Sequence, residues 1–522
     1  MMEGTGGLKG HPAGDRPGVE RAVSGERVTV DTYAGPVHVE WDPDAAVTPL
    51  GHLAFFAEYL KVSGRFDALV ADCPLFYTSP NAPAKRDVIG TALLSILAGQ
   101  WRYAHITALR GDTVNPALLG MSKVVSEDAV RRGLAKIEEG SGTTWLQGHL
   151  DDTVRPLLSE PWVLDCDTTI KPLYGHQEGA VVGYNPHKPG RPSHAYHSFL
   201  MAGVRLVLEV AVAPGNRHTS KTSQPHLWDF LGRIGREHWP RLVRGDKDWG
   251  NERNMASCER EGMDYLFKLR LTKGVRRVAE RAMGHSDWQD AGQGWWGRKA
   301  ELRLDGWSRS RRVVVLRRRL PETLALTRKT DDGQGELFWA DAQSGSAVWE
   351  FAVLVTSLDL EVLSLAQLYR DRADGENPFD ELKNQWGWAG FTTRDLKRCQ
   401  IIARLVALVY NWWSLFARLA DPDHHREAIT SRPLLLHGVA RQTRHAGRTH
   451  LTVTSSHGRR RHVVRALTRI AKFFQRLRQN AEQLTIEQKW LRILAEALRK
   501  YLHGRQPGRQ PWLPPPRAAS AG

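Results

Sequence analysis

The sequence predicts an α/β protein, with a sheet-forming middle flanked by helical N- and C-terminal regions. Three observations predict it. Short apolar strand runs and one helical run alternate between Trp162 and Gly245. A second series of strand runs fills Asp264 to Thr356. Outside those limits, from about Pro49 to Glu139 and after Leu363, the apolar spacing is helical. A strand-strand-strand-helix-strand order suits a mixed sheet with helices packed on it.

Each element has a local reason. Residues 1–26 are rich in Gly and Pro and lack periodicity, so a disordered arm is expected. Residues 27–150 read as a helical N-terminal region. Within it Ser126 is a good N-cap, Glu127 and Asp128 favour the helix dipole, and Val125 and Val130 sit at staple positions. The helix Glu127–Ile137 carries Arg131, Arg132 and Lys136, and reads equally as a recognition helix or a packing helix. Strands Trp162–Cys166, two runs within Ser198–Ala213, helix Pro225–Arg236 and strand Arg241–Gly245 place an α/β unit over residues 151–263. Strand runs Tyr265–Leu271, Lys299–Leu304, Arg312–Leu316, Leu337–Ala340 and Trp349–Val355 make residues 264–350 a β-rich unit. Residues 351–420 and a basic stretch over 421–504 read as helical. The Pro-rich 505–522 is expected to be a disordered tail.

Composition narrows the function classes. The 522 residues are 41% hydrophobic and 25% charged, which excludes a wholly disordered chain. Cys73, Cys166, Cys258 and Cys399 stand far apart, giving no disulfide framework and no paired zinc ligands. The most apolar run, Leu405 to Ala417, contains Asn411 and is bracketed by Arg404 and Arg418, short of the ~20 residues a spanning helix needs. No apolar leader follows Met1, so a cytoplasmic protein that avoids membranes is expected. From Phe391 to Gly522, 25 Lys and Arg face 7 Asp and Glu, a net +18 against +16 for the whole chain. A local excess of this kind is the footprint of a polyanion partner, most often nucleic acid. A solvated helical face is the plainer alternative.

Some motifs carry little. Gly292-Gln-Gly294-Trp-Trp-Gly297 spells GxGxxG, but without a strand-to-helix context, and two tryptophans crowd the phosphate approach. His176, His187, His194 and His197 are not at zinc spacing and are expected on the surface or in loops.

The segment Leu368 to Trp386 carries more. Read as one ideal helix, Tyr369, Arg372, Glu376 and Lys383 fall at roughly 0°, 300°, 340° and 320°, a sector of about 60°. An Arg372–Glu376 helix pair worth ~0.2–0.5 kcal/mol would leave Tyr369 and Lys383 without a role. A carboxylate for a metal, with Arg, Lys and Tyr reaching phosphates, uses all four. Pro378 predicts a kink just past Glu376, which leaves Asp380 as a rival carboxylate.

The spacing Tyr-x2-Arg-x3-Glu-x6-Lys resembles the Y-R-E-K signature of DDE transposases encoded by bacterial insertion sequences. The segments Tyr174-Gly-His-Gln-Glu-Gly-Ala180, Gly183-Tyr-Asn-Pro186, Lys188-Pro-Gly-Arg-Pro-Ser-His194 and Arg244-Gly-Asp246 resemble the 1380 family of insertion sequences. The resemblance covers roughly Pro49 to Asn480. It implies an RNase H-like catalytic domain interrupted by a β-rich insertion between the second and third acids. The acidic triad it implies is Asp167, Asp246 and Glu376, with Asp165 and Asp248 as rivals to the first two. It implies two Mg²⁺ ions, with Mn²⁺ as a substitute, because hard cations take carboxylate oxygens and a pair of them can assist in-line phosphoryl transfer.

The resemblance also implies partners and further roles. Arg372 and Lys383 would hold phosphates and Tyr369 would position the scissile strand. Read from its own residues rather than from the resemblance, the Gly-, Pro- and Asn-rich Tyr174–His194 loop presents Lys188, Arg191 and His194 as a basic face beside the first acid that would contact DNA, against a purely structural loop as the alternative. A tryptophan of the insertion would stack on a flipped base, and Trp295 and Trp296, in a Gly-flanked turn, are expected to be exposed enough to do so. The partners are the terminal inverted repeats of its own element and target DNA, engaged by a homodimer at the bacterial nucleoid. The expected reaction is cut-and-paste transposition through a DNA hairpin. A catalytically inactive relative acting as a repressor, and a host nuclease, are the competing readings.

Overall fold

The computed structural model describes residues 27–185, 188–217, 219–320, 338–340, 348–479 and 483–508. The arm expected over 1–26 and most of the expected tail lie outside the described residues.

The chain opens with strands where helix was expected. β1 (Val28–Thr32) and β2 (Gly35–Val39) form an exposed antiparallel hairpin. Their β-branched content favours a pleated backbone over a helix, and Gly35 supplies the positive φ of +96° in the turn. β3 (Val47–Thr48) joins strands from far along the chain. Helices follow: α1 (Leu53–Ser63), α2 (Arg65–Asp72), α3 (Lys85–Leu97), α4 (Val114–Leu118), α5 (Glu127–Lys136) and α6 (Glu139–Val154). α5 starts where its cap predicts, since the Ser126 hydroxyl accepts the Ala129 N–H at 3.2 Å. Val130, Gly133 and Leu134 are buried, and the Arg131 guanidinium lies 5.2 Å from the Tyr103 ring, so two faces of α5 are taken up by packing.

The central sheet gathers β4 (Val163–Pro172), β5 (Val181–Val182), β6 (Pro192–Met201), β7 (Leu206–Pro214), then, after α7 (Thr219–Ile234), β8 (Leu242–Gly245). It continues after α8 (Glu252–Glu261) with β9 (Asp264–Lys268), and after α9 (Lys273–Met283) with β10 (Gln289–Gly292), β11 (Trp295–Leu302), β12 (Arg311–Leu320), β13 (Phe338–Ala340) and β14 (Val348–Thr356). Its order runs β7-β6-β4-β8-β9-β14-β12-β11-β10. β4 and β7 flank β6 antiparallel, whereas β4, β8 and β9 are mutually parallel. β9, expected to open the β-rich unit, is therefore an inner strand beside β8. The rest of that unit extends the same sheet through β14, whose Leu354 and Val355 pair with Lys268 and Phe267. The GxGxxG string is the β10–β11 hairpin turn. Gln293 and Gly294 both take positive φ, +55° and +76°, as tight hairpins require.

The C-terminal part comprises α10 (Val362–Arg370), α11 (Ala373–Asn384), α12 (Leu396–Ala420), α13 (Ala428–Leu435), β15 (Val439–His445), β16 (Arg448–Thr454), α14 (Arg460–Gln479) and α15 (Ile486–Ala497). The stretch expected to be helical over 421–504 thus contains a β-hairpin, and β3 pairs with its strand β15. Ala446 and Gly447 make the turn with φ of +48° and +72°.

α12 is long and apolar enough to cross a membrane by length and composition, with mean hydropathy 1.2, but 94% of that window is buried within the protein. Its polar residues explain the placement. β7 pairs with β6 on one side, so its other backbone edge needs partners. Asn411 accepts the Val207 N–H at 2.8 Å and donates to the Val207 carbonyl at 2.7 Å. Gln400 does the same for Val212, at 2.8 Å both ways. The residue that interrupts the apolar run is the one that fastens the helix to the sheet edge.

Candidate active site

β4 and β8 are parallel neighbours with Cys166 opposite Gly245, so the next residue on each, Asp167 and Asp246, comes to the same end of the sheet. Gly245 is tightly enclosed, since a Cβ there would meet Trp249 Cγ at 2.4 Å. Glycine thus lets the chain turn closely over Trp249 and present Asp246. The Asp246 carboxyl is pushed up to about 6, first by burial, then by the charges of Asp167 and Asp248, against the pull of Arg372. Asp167 and Asp246 are therefore close enough to resist ionising together. The Asp248 N–H donates to Asp246 Oδ1 at 3.0 Å, and the Asp248 carboxylate takes the Arg270 guanidinium. Asp248 thus has a cation of its own.

Asp165 and Asp167 share a strand face, but their surroundings differ. Asp165 is buried in a bidentate pair with Arg244, at 2.6 and 2.7 Å, and Arg244 also donates to the Leu368 carbonyl. Asp167 keeps 20% of its side chain exposed and lies 3.2 Å from Arg372. Arg372 is buried and also reaches the Cys166 carbonyl at 3.4 Å. Burial opposes the Arg372 charge, yet Asp167, Tyr369 and Asp246 together hold its pKa above the ordinary arginine value.

The segment read as one helix is two. The Asp371 N–H still reaches back to Gln367 at 2.8 Å, but the Arg372 N–H takes the tighter bond to Tyr369 at 3.1 Å, and α11 starts at Ala373. The break comes before Glu376 rather than after it, and Pro378 sits inside α11. Pro378 is the sixth of the twelve residues of α11, beyond the first four whose N–H groups have no intrahelical partner, so it removes one bond from the helix interior. Tyr369 and Arg372 thus precede the break while Glu376 and Lys383 follow it, and the four do not share one ideal wheel. Glu376 and Lys383, seven apart on α11, still share a face. The side chain of Glu376 lies outside the described residues. Lys383 is half-buried and the rival Asp380 is exposed, bonded to Asn384 at 2.7 Å.

A residue that sequence reasoning missed anchors α11. Glu381 is buried, accepts the Trp386 indole and the Ala428 N–H, both at 2.9 Å, and lies 2.9 Å from His425 Nε2. Only the tertiary fold marks it, since an acid in an acid-rich helix has no distinguishing spacing.

The basic loop has its own order. Lys188 hydrogen-bonds the Tyr174 hydroxyl, and Lys188 and Arg191 lie 5.1 and 4.9 Å from the Tyr174 ring. Lys247, next to Asp246, lies 5.6 Å from the Tyr184 ring. Tyr174 and Tyr184 are exposed and were not singled out from the sequence. His194 and His197, expected on the surface, are buried in β6, because both faces of this strand are covered. His197 Nδ1 lies 2.6 Å from the Ser223 hydroxyl and 3.0 Å from the Thr168 hydroxyl. Burial, with His226 second, lowers its pKa to about 4 and keeps it neutral. His187 lies outside the described residues.

Trp295 and Trp296 differ from the expectation of a shared exposed turn. They open β11, where alternation sends them to opposite faces. Trp295 packs against a buried apolar cluster under Arg318, at 4.9 Å, and Trp296 is 46% exposed.

Among the described residues no group of three or more His, Cys, Asp or Glu side chains gathers as a metal cage. The donor set offered is the Asp167–Asp246 pair, with the backbone of Glu376 in the opening turns of α11.

Comparison with known proteins adds the family. The model of the family described as transposase DDE domain group 1 matches residues 83–475. No curated protein matches the chain. Among solved structures, a piggyBac transposase synaptic complex with hairpin DNA, determined by cryo-EM, is similar over 91% of this chain and 88% of that chain, at TM-score 0.39 and 10% identity. Spanning most of its length with that family model, the chain belongs to the DDE transposases.

Proposed function

We propose that this protein is a metal-dependent DNA transposase of the 1380-type, Y-R-E-K insertion-sequence group, acting by cut and paste. The observation that carries the reading is that β4 and β8 bring Asp167 and Asp246 to one end of the sheet, where burial first and the Asp167 charge second push the Asp246 carboxyl up to about 6. Two oxygen-donor acids that repel one another fit a hard divalent cation, whose charge would relieve the repulsion. The strand order β7-β6-β4-β8-β9, an antiparallel group followed by parallel strands, is read as the RNase H-like core.

Asp167, Asp246 and Glu376 would hold Mg²⁺, or Mn²⁺ in its place. The bound ions would supply polarisation of the scissile phosphate and a more acidic attacking water or hydroxyl. Arg372, against Asp167, balances the acids and presents a guanidinium beside the reacting phosphate. Arg244, by neutralising Asp165, leaves Asp167 as the acid of β4 that faces the substrate. Lys383 is assigned to a phosphate, Tyr369 to the scissile strand, and the Tyr174 loop with Lys188 and Arg191 to flanking DNA. The exposed Trp296 is the better placed of the tryptophan pair to stack on a base. The DNA is the element's own terminal repeats and a target, with a homodimer holding paired ends, a hairpin as the second-strand step, and a bacterial, nucleoid-associated location.

The test is strand-specific cleavage. Purified protein, Mg²⁺ and end-labelled duplex from the DNA flanking its gene are compared with Glu376→Gln. Cleavage at the repeat boundary by the unaltered protein, with Glu376→Gln cutting on the order of 10²–10³-fold more slowly while binding equally, is the expected result, the range for losing one group that stabilises transition-state charge. Metal-dependent cleavage retained by Glu376→Gln would refute the third acid. Binding without cleavage by the unaltered protein, in Mg²⁺ or Mn²⁺ with paired ends supplied, would mark a repressor.

A further inference from the structure

Between Glu427 and Glu482 the sequence holds 12 Lys and Arg and no Asp or Glu. This acid-free stretch contains two different elements, the β15–β16 hairpin and the helix α14. α14 is amphipathic, with Val463, Leu467, Ile470, Phe474 and Leu477 buried, so its cations are the solvent face of a packed helix. The hairpin is different.

Its register pairs Arg441 with Thr452, Thr443 with His450, and His445 with Arg448. Alternation puts these six side chains on one face, and all six are exposed. The other face carries Ala440, which is buried, Gln442, Leu451 and Val453, which are partly buried, and, next to the turn, the exposed Arg444 and Thr449. Val453 lies against Gly51 and Gly438 at the base. The ribbon is thus held at its base by one face and bare on the other. These six residues are polar, cationic in sum and free of carboxylates, and the same face ends at its base in the exposed Val439, paired with Thr454. None of the six residues forms a salt bridge among those the described residues contain, whereas Arg469 and Arg478 of α14 pair with Glu496 and Glu58.

We infer that the outer face of the β15–β16 ribbon, through Arg441, His445, Arg448 and His450, docks in the major groove of duplex DNA. This rests on the reading of the protein as a DNA transposase and adds the surface and groove it uses. A two-stranded ribbon fits the width of the major groove, about 12 Å. Seven residues a strand give a ribbon on the order of 20 Å long. Arginine supplies phosphate contacts and can pair bidentately with guanine, and the threonines can meet thymine methyls or base edges.

The test uses the full-length protein and a fluorescein-labelled duplex from the DNA flanking its gene, with binding measured across a salt series. Arg441→Gln/Arg448→Gln should weaken binding on the order of tenfold or more at ~0.1 M salt and flatten the log–log salt slope by about 2, as expected for two lost phosphate contacts. Its melting temperature should not change. A duplex carrying glucosylated hydroxymethylcytosine, whose major groove is filled, should bind the unaltered protein more weakly and the double variant with little further loss. An unchanged salt slope in the double variant, or equal sensitivity of both proteins to the filled groove, overturns the inference while leaving the transposase reading intact. Loss of self-association without a change in slope overturns it too, and assigns the face to a second copy of the chain. Failure of the unaltered protein to bind any duplex would instead strike the transposase reading itself.

Discussion

Replacing Asp246 by Asn should stabilise the metal-free protein at neutral pH. The substitution keeps the shape and leaves an oxygen to accept the Asp248 N–H at 3.0 Å, but removes the charge that burial first, and Asp167 and Asp248 second, oppose. The carboxyl titrates near 6 in the fold against 3.8 unperturbed. A raised acid pKa means that ionisation costs stability. The cost is absent below the unfolded value near 3.8, grows as pH rises, and is complete above about 6. Two units correspond to a ceiling of about 3 kcal/mol. For a chain of this size unfolding entropy is on the order of 1 kcal/mol per degree, so the melting temperature should rise by up to about 3 °C at pH 7.5 and be unchanged at pH 3.5. Added Mg²⁺ should narrow or reverse the gap, since a ligand held 100-fold above its dissociation constant stabilises the unaltered protein by about 2.7 kcal/mol. The assay is thermal melting of both proteins at the two pH values, with and without Mg²⁺. An Asp246→Asn protein that is no more stable at pH 7.5, or whose advantage persists at pH 3.5, would refute the account of a buried carboxyl crowded by like charge.

Two further outcomes separate structural from functional groups. Asp165→Asn leaves buried Arg244 without its anion and should cost on the order of 3–5 kcal/mol, read as a lower urea midpoint, whereas Asp167→Asn should abolish cleavage at a smaller cost in stability, because buried Arg372 keeps the Asp246 charge and the Cys166 carbonyl. Equal destabilisation by both would contradict the division of roles between the two acids. Trp296→Ala should weaken binding to cleaved or distorted ends by ~1–3 kcal/mol, the range for losing a base stack, with little change in melting. Trp295→Ala should mainly lower stability, because its ring is packed beneath Arg318. A Trp296→Ala protein with unaltered affinity for such ends would remove that residue from the DNA surface.

Much of the local structure follows from neighbouring residues. The Ser126 cap and the strand runs on either side of Gly203–Arg205 depend on interactions within a few positions. The concentration of positive charge after Phe391 is a property of the sequence alone, as is the Tyr369–Arg372–Glu376–Lys383 spacing with its family resemblance. What lies beyond depends on partners distant along the chain. Asp165 and Asp167 are alike in sequence, and Arg244, 79 residues away, distinguishes them. The strand alternation of His194 and His197 does not reveal that both faces of β6 are covered. The β-rich segment reads as a separate unit until β14 pairs with β9 and extends one sheet. The helix through Tyr369 and Lys383 breaks at Asp371–Arg372 because Arg372 is drawn into the charged site beside Asp167 while α11 is held from its far side by Glu381. Sequence determines propensity, capping and charge, which act over one or two turns. Tertiary structure decides which charges are neutralised and which faces are covered, because burial and electrostatic pairing depend on distance in space.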